Sequence, residues 1–188
     1  MFETLIAWDK TLFELINQTL TNGFLDAILP WLRDKYIWVP FYIFLIAFFI
    51  INYRLKGLAV TLFVVATIAI SDQTSSTLIK ESVERLRPCK NPALEEQVRL
   101  LIDCGPSFSF TSSHATNHFA LAGFLATILG TRWGWVPAAI YTWAFVVSYA
   151  QVYVGVHFPF DVLAGGIVGT LIGKVMARIT KGVTSFDP

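Results

Sequence analysis

Five residues carry chemistry in a chain otherwise filled with apolar runs: Lys80, Arg87, His114, His157 and Asp161. Lysine and arginine neutralise phosphate oxygens, arginine through a bidentate fork. One imidazole can attack phosphorus while the other acts as general acid. Asp161, four residues after His157, is spaced to accept the ring N–H and fix its tautomer. Thr111, Ser112 and Ser113 precede a helical pattern, and the free N–H groups of a helix start favour an anion. Pro159 suits the first turn of a last helix. The set points to phosphoryl chemistry that needs no metal or other cofactor, because fixed cations stabilise the charge.

The elements that must position these residues are set by where charges interrupt the apolar runs. The 188 residues are 55% hydrophobic and only 14% charged, against roughly 25% charged for a soluble domain. Disorder, collagen and coiled coil are excluded, and a net charge of +1 gives no case for nucleic acid as a partner. Uncharged stretches run from Lys35 to Arg54, from Lys56 to Asp72 and weakly on to Ile79, from Ala115 to Arg132, from Trp133 to Val156, and from Asp161 past Gly173. A bilayer core needs about 20 helical residues, so five spans are expected. In the first 35 residues, Leu5, Trp8, Leu12 and Ile16 fall at helical spacing among charges, which suggests an amphipathic interfacial helix. A second apolar piece, Phe24 to Leu32, follows Asn22 and Gly23; the two pieces together are the alternative of a sixth span. No removable leader is expected. The expected fold is an all-α integral membrane helical bundle of five transmembrane helices, or six, in one domain, 1–188, with an interfacial segment over 1–35.

Counting crossings gives the first functional expectation. No span separates Lys80 and Arg87 from His114, and two separate His114 from His157, so all five residues fall at one membrane face. The opposite face holds Arg54, Lys56, Arg132, Lys174, Arg178 and Lys181; short basic segments mark the cytoplasmic side, which puts the polar cluster outside. Cys89 and Cys104 share the long external loop, where an oxidising compartment favours a disulfide. His118 reads as a structural hydrogen-bonding residue rather than half of a metal pair. Asp72 reads as a structural contact between helices, with positioning of Lys80 as the alternative. Gly165, Gly169 and Gly173 read as a close helix contact. Trp31, Trp38, Trp133 and Trp135 read as interfacial anchors.

Three segments also resemble the signatures of the type 2 phosphatidic acid phosphatase superfamily. Lys80 through Pro88 looks like the first, a lysine, six residues, then Arg-Pro. Thr111 to His114 resembles the second, usually Pro-Ser-Gly-His. Ala150-Gln151, five residues, His157, three residues and Asp161 resemble the third, usually Ser-Arg before the same spacing. The resemblance covers a phosphatase-like core at 57–178. It implies that His157 is the nucleophile, supported by Asp161, and that His114 protonates the leaving oxygen. It also implies that Lys80, Arg87, Ser112, Ser113 and Gln151 bind the phosphate, at a site opening outside the cytoplasm, here the periplasmic or exterior face of a bacterial inner membrane.

The expected substrate is a lipid phosphate: undecaprenyl diphosphate first, then phosphatidic acid, phosphatidylglycerol phosphate or a lipid A phosphate. The departure that matters is Gln151, an uncharged amide where the pattern has arginine. Spatial substitution by Arg85, Lys90 or Arg99 is one expectation. A non-catalytic lipid-headgroup binder or transporter is the alternative function. On the pattern alone, Gln151→Arg preserves or raises turnover.

Overall fold

The structure is a computed structural model that describes residues 2–188, and the described residues form helices and loops with no strand. α3 (Val39–Gln73) is not one rod: Arg54 takes φ 52 and ψ −123, outside the helical region. A Cβ added at Gly57 would stand 1.8 Å from the Phe49 carbonyl oxygen. Residues eight apart in a straight helix are separated by about 12 Å. The chain therefore doubles back at Arg54, and arms 39–53 and 55–73 pack side by side, as the charged turn between the first two apolar runs requires. A π-helical stretch, Thr74–Ile79, continues the second arm into α4 (Lys80–Val83).

The remaining long helices are α5 (Ser113–Leu129), α6 (Val136–Tyr153) and α7 (Pro159–Thr184). α5 and α7 approach backbone to backbone, because a Cβ at Gly169 or Gly173 would lie 2.1 Å from the carbonyl oxygens of Thr116 and Ala120. The outer face of α7 carries Leu163, Ile167, Leu171 and Val175, between 51% and 60% exposed. A helix facing water would be polar there; this stripe is built for hydrocarbon. By length and hydropathy, Lys35–Lys90 and Pro159–Thr184 can each cross a membrane. α5 and α6, at 17 and 18 residues, sit at the short end of the spanning range.

Contacts sort the loops into two ends. The Phe186 ring lies 4.8 Å from Tyr53 and 6.1 Å from Phe49, and Phe48 meets Trp133 at 5.9 Å. The Arg54 turn, the α5–α6 connection and the C-terminus thus share one end. The 84–112 loop gathers with residues 154–161 at the other, where the Ser112 N–H donates to the Asp161 carbonyl at 3.1 Å.

The N-terminal segment covers that second end. It comprises α1 (Phe2–Glu14), a π-helical turn at Leu15–Thr19, and α2 (Gly23–Leu32). Asp9, Phe13 and Asn17 face inward and are buried, whereas Leu5, Trp8, Leu12 and Leu15 face outward and are exposed. Asp9, Phe13 and Asn17 thus meet protein, and the apolar stripe is left on the outside, an amphipathic arrangement. Phe13 packs on Phe158 at 5.4 Å. Asn17 Nδ2 donates to the carbonyls of Arg99 and Tyr153, and its oxygen accepts from the Arg99 N–H.

Cys89 and Cys104 are joined by a disulfide across 15 residues. Closing a loop of that length contributes about 3 kcal/mol on chain entropy. Reduction is expected to lower the thermal unfolding midpoint in detergent, and a fully reduced protein with an unchanged midpoint would contradict this.

Candidate active site

Local sequence places each functional side chain. Ser112 caps α5, its Oγ accepting from the Ala115 N–H at 3.4 Å, which leaves His114 in the first turn. Pro159 opens α7, and Asp161 Oδ2 accepts the Phe158 N–H at 2.8 Å. Between α6 and α7 the chain turns at Gly155, with φ +89, a left-handed conformation that disfavours side chains. A Cβ there would also lie 2.8 Å from Val98. That turn points His157 back into the bundle, and the Gln151 carbonyl accepts its N–H at 3.3 Å.

His157 is 2% exposed and flanked on both ring nitrogens. Its Nε2 lies 3.5 Å from Arg87 Nη1. Its Nδ1 lies 3.4 Å from Ser109 Oγ and 3.6 Å from Asp161 Oδ2. Ser109 Oγ donates to the same Asp161 oxygen, so a hydroxyl stands beside the direct His–Asp contact. Burial pushes the His157 imidazole down to about 4, reinforced by Arg87 and Lys80 and opposed by Asp161. The ring is neutral at ordinary pH.

Arg87 is locked by Ser107, whose carbonyl accepts from Nε at 2.8 Å and whose hydroxyl accepts from Nη2 at 2.9 Å. Lys80 is 5% exposed. Among the described residues no hydrogen bond or ion pair engages its ammonium. His114 lies within electrostatic reach of Lys80, Arg33 and the His157 ring. The five residues singled out from sequence therefore do converge. The hydroxyls turn elsewhere: Thr111 and Ser113 meet Ser75 at 2.9 and 3.1 Å, and Ser113 also meets Ser76 at 2.8 Å. What Ser112 and Ser113 offer an anion is the start of α5.

The three cations expected to replace the missing arginine do not. Arg85 bridges Asp161 Oδ1 at 2.7 Å and Asp9 Oδ2 at 2.6 Å, stacked on Phe158. Arg99 pairs with Asp26, and Lys90 donates to the Pro106 carbonyl. Carboxylates or carbonyls hold each of them away. The cation at Gln151 is instead Arg33, whose Nε donates to Gln151 Oε1 at 3.2 Å. Sequence reasoning missed Arg33, Ser109 and the Asp9–Arg85–Asp161 chain, since these pairs lie 48 to 118 residues apart and no local pattern marks them.

His118 Nδ1 lies 2.8 Å from the His114 carbonyl and its ring packs at a tilt on Trp143, centroids 4.8 Å apart, a structural role as expected. Asp72 Oδ1 accepts from Asn117 Nδ2 at 2.9 Å, tying α3 to α5.

Comparison with known proteins agrees with this geometry. Residues 56–184 match the sequence profile of the PAP2 superfamily. A lipid A 4'-phosphatase from Bacteroides thetaiotaomicron is 32% identical over 188 residues, 98% of this chain and 82% of that protein. An undecaprenyl-diphosphatase from Sulfolobus acidocaldarius is 31% identical over 180 residues, 93% of this chain and 79% of that protein. The crystal structure of Aquifex aeolicus LpxE superposes with a TM-score of 0.67 at 27% identity, covering 89% of this chain and 93% of that one. With its motifs, its lipid-facing helices and these relatives taken together, the chain belongs to the PAP2 superfamily and is an integral membrane phosphatase of the lipid-processing kind.

Proposed function

We propose that this phosphatase removes a terminal phosphate from a membrane lipid through a phosphohistidine on His157, without a metal. The observation that carries this reading is the two-sided setting of His157, with Asp161 and Ser109 at Nδ1 and Arg87 at Nε2. A proton held on Nδ1 leaves the Nε2 lone pair free for phosphorus. Nε2 attacks, the phosphorus–oxygen bond to the lipid breaks, and His114 gives its proton to the departing oxygen. Water, losing a proton to His114, then attacks the phosphohistidine; the phosphorus–nitrogen bond breaks and inorganic phosphate leaves. Lys80, Arg87, Gln151 and the N–H groups at Ser112 and Ser113 hold the phosphate oxygens.

The bundle is read as one unit, 1–188, with five spans, a catalytic core at 57–178 and segment 1–35 on the interface. Basic residues at the Arg54 end favour a cytoplasmic position for that end, and the disulfide favours an oxidising compartment for the other. Both support a site facing the periplasm or exterior of a bacterial inner membrane. Similarity over nearly the whole chain to a lipid A 4'-phosphatase moves a lipid A phosphate ahead of undecaprenyl diphosphate as substrate. Phosphatidic acid and phosphatidylglycerol phosphate come next.

The test is phosphate release in detergent with EDTA, the four lipid phosphates assayed side by side. Release from a lipid A phosphate, blocked by vanadate, is expected; release from none of them would end the reading. The buried His157 also sets a pH dependence. Protonation removes the nucleophile, so kcat/KM is expected to fall as pH drops through about 4, after correction for the substrate's own ionisation near about 6. A free-enzyme limb at about 6.5, the value of an unperturbed histidine, would contradict a buried neutral ring.

A further inference from the structure

Three cations at the site lack a carboxylate partner among the described residues, and one of them comes from outside the three signature segments. Ion pairs engage Arg85 with Asp161 and Asp9, and Arg99 with Asp26. None engages Lys80, Arg87 or Arg33. Lys80 and Arg87 are buried and Arg33 is half-buried; cations held so without a paired carboxylate are costly and suit an incoming dianion. Arg33 stands within electrostatic reach of both His114 and Arg87.

We propose that Arg33 is a phosphate-binding residue of this enzyme and that Gln151 is the tether that aims it. This deepens the reading of the site given above and rests on it. Gln151 is fully buried; its Oε1 accepts from Arg33 Nε, and its Nε2 has no partner. An unpaired donor at full burial is rare, and a phosphate oxygen would satisfy it. With Nε occupied, the two terminal nitrogens of Arg33, which have no partner among the described residues, remain as the forked face that binds a phosphate.

The backbone around Arg33 is held in place. Its N–H donates to the Leu29 carbonyl at 3.1 Å. Trp38 Nε1 donates to the Leu32 carbonyl at 2.8 Å, and the Trp38 ring packs on Trp143 of α6 at 5.3 Å, two helical turns from Gln151. The charge absent from position 151 is thus delivered by the interfacial segment, which becomes part of the active site rather than an anchor only.

The test compares Arg33→Gln, Arg33→Lys, Gln151→Arg and the double variant Arg33→Gln/Gln151→Arg in detergent. Readouts are kcat/KM for lipid phosphate, vanadate inhibition, and binding of inorganic phosphate by calorimetry. Arg33→Gln is expected to lose on the order of 10²–10³-fold in kcat/KM, the cost of one transition-state donor, with vanadate and phosphate binding weakened in parallel. Arg33→Lys keeps part of the activity. The double variant, which moves the charge onto α6, recovers at least tenfold over Arg33→Gln.

Three results would overturn the proposal. One is Arg33→Gln with kcat/KM and vanadate inhibition within threefold of wild type. Another is an equal loss in Arg33→Gln, Arg33→Lys and the double variant, which would mark a packing role. The last is Gln151→Arg alone raising turnover, since a second guanidinium against Arg33 should lower it. If Arg33→Gln does not fold, Arg33→Lys and the double variant carry the same comparison. A wild-type protein that releases no phosphate from any lipid defeats the phosphatase reading instead, and phosphate binding by calorimetry still decides the role of Arg33.

Discussion

Phosphate release by His157→Ala is expected to fall on the order of 10⁴-fold or more, because the group that forms the covalent intermediate is gone. The side chain is buried against Arg87, Ser109 and Asp161, so truncation also opens a small polar cavity, and His157→Asn is the better-packed companion. Both variants should retain wild-type elution and a thermal midpoint within a few degrees. Radiolabelled lipid phosphate, quenched in base, should leave label on wild type and none on either variant. Turnover by a folded His157→Ala at even a hundredth of the wild-type rate would remove His157 as nucleophile.

Gly169→Ala is expected to have the largest effect on folding. The added Cβ meets the Thr116 carbonyl oxygen at 2.1 Å and the Ala120 nitrogen at 2.9 Å. Both are backbone atoms of α5, so no rotamer change relieves the clash and the two helices must part. Overpacking a core typically costs about 1–3 kcal/mol, and more when backbone is displaced. The same separation would move Asp161 and His157 at the head of α7 away from His114 at the head of α5. Thermal midpoint and activity should therefore fall together. Gly182→Ala, where an added Cβ meets nothing within 4 Å, should leave both unchanged. A Gly169→Ala protein as stable as wild type would contradict a backbone-to-backbone contact between α5 and α7.

Most of the bundle was legible because span length and charge position are local properties. Lys35 to Arg54 and Lys56 onward became the two arms of α3, and the turn fell at Arg54 because a charged pair cannot sit at membrane depth cheaply. Crossing parity placed Lys80, Arg87, His114, His157 and Asp161 at one end, and there His157 lies between Arg87 and Asp161, with Lys80 and His114 within electrostatic reach. The cysteine pair and the four-residue glycine spacing were readable for the same reason: both are short-range patterns with one dominant structural consequence.

The sequence by itself determined an all-helical bundle of long apolar helices and which five side chains share an end, since helix periodicity and the cost of charge in hydrocarbon act within about 20 residues. Only the tertiary structure decided which cation answers which anion. Arg85 went to Asp161 and Asp9, Ser109 came beside His157, and Arg33 reached Gln151 across 118 residues. Those pairings depend on how the N-terminal segment and the long 84–112 loop pack over the helix ends, a balance of many distant contacts that no local spacing encodes.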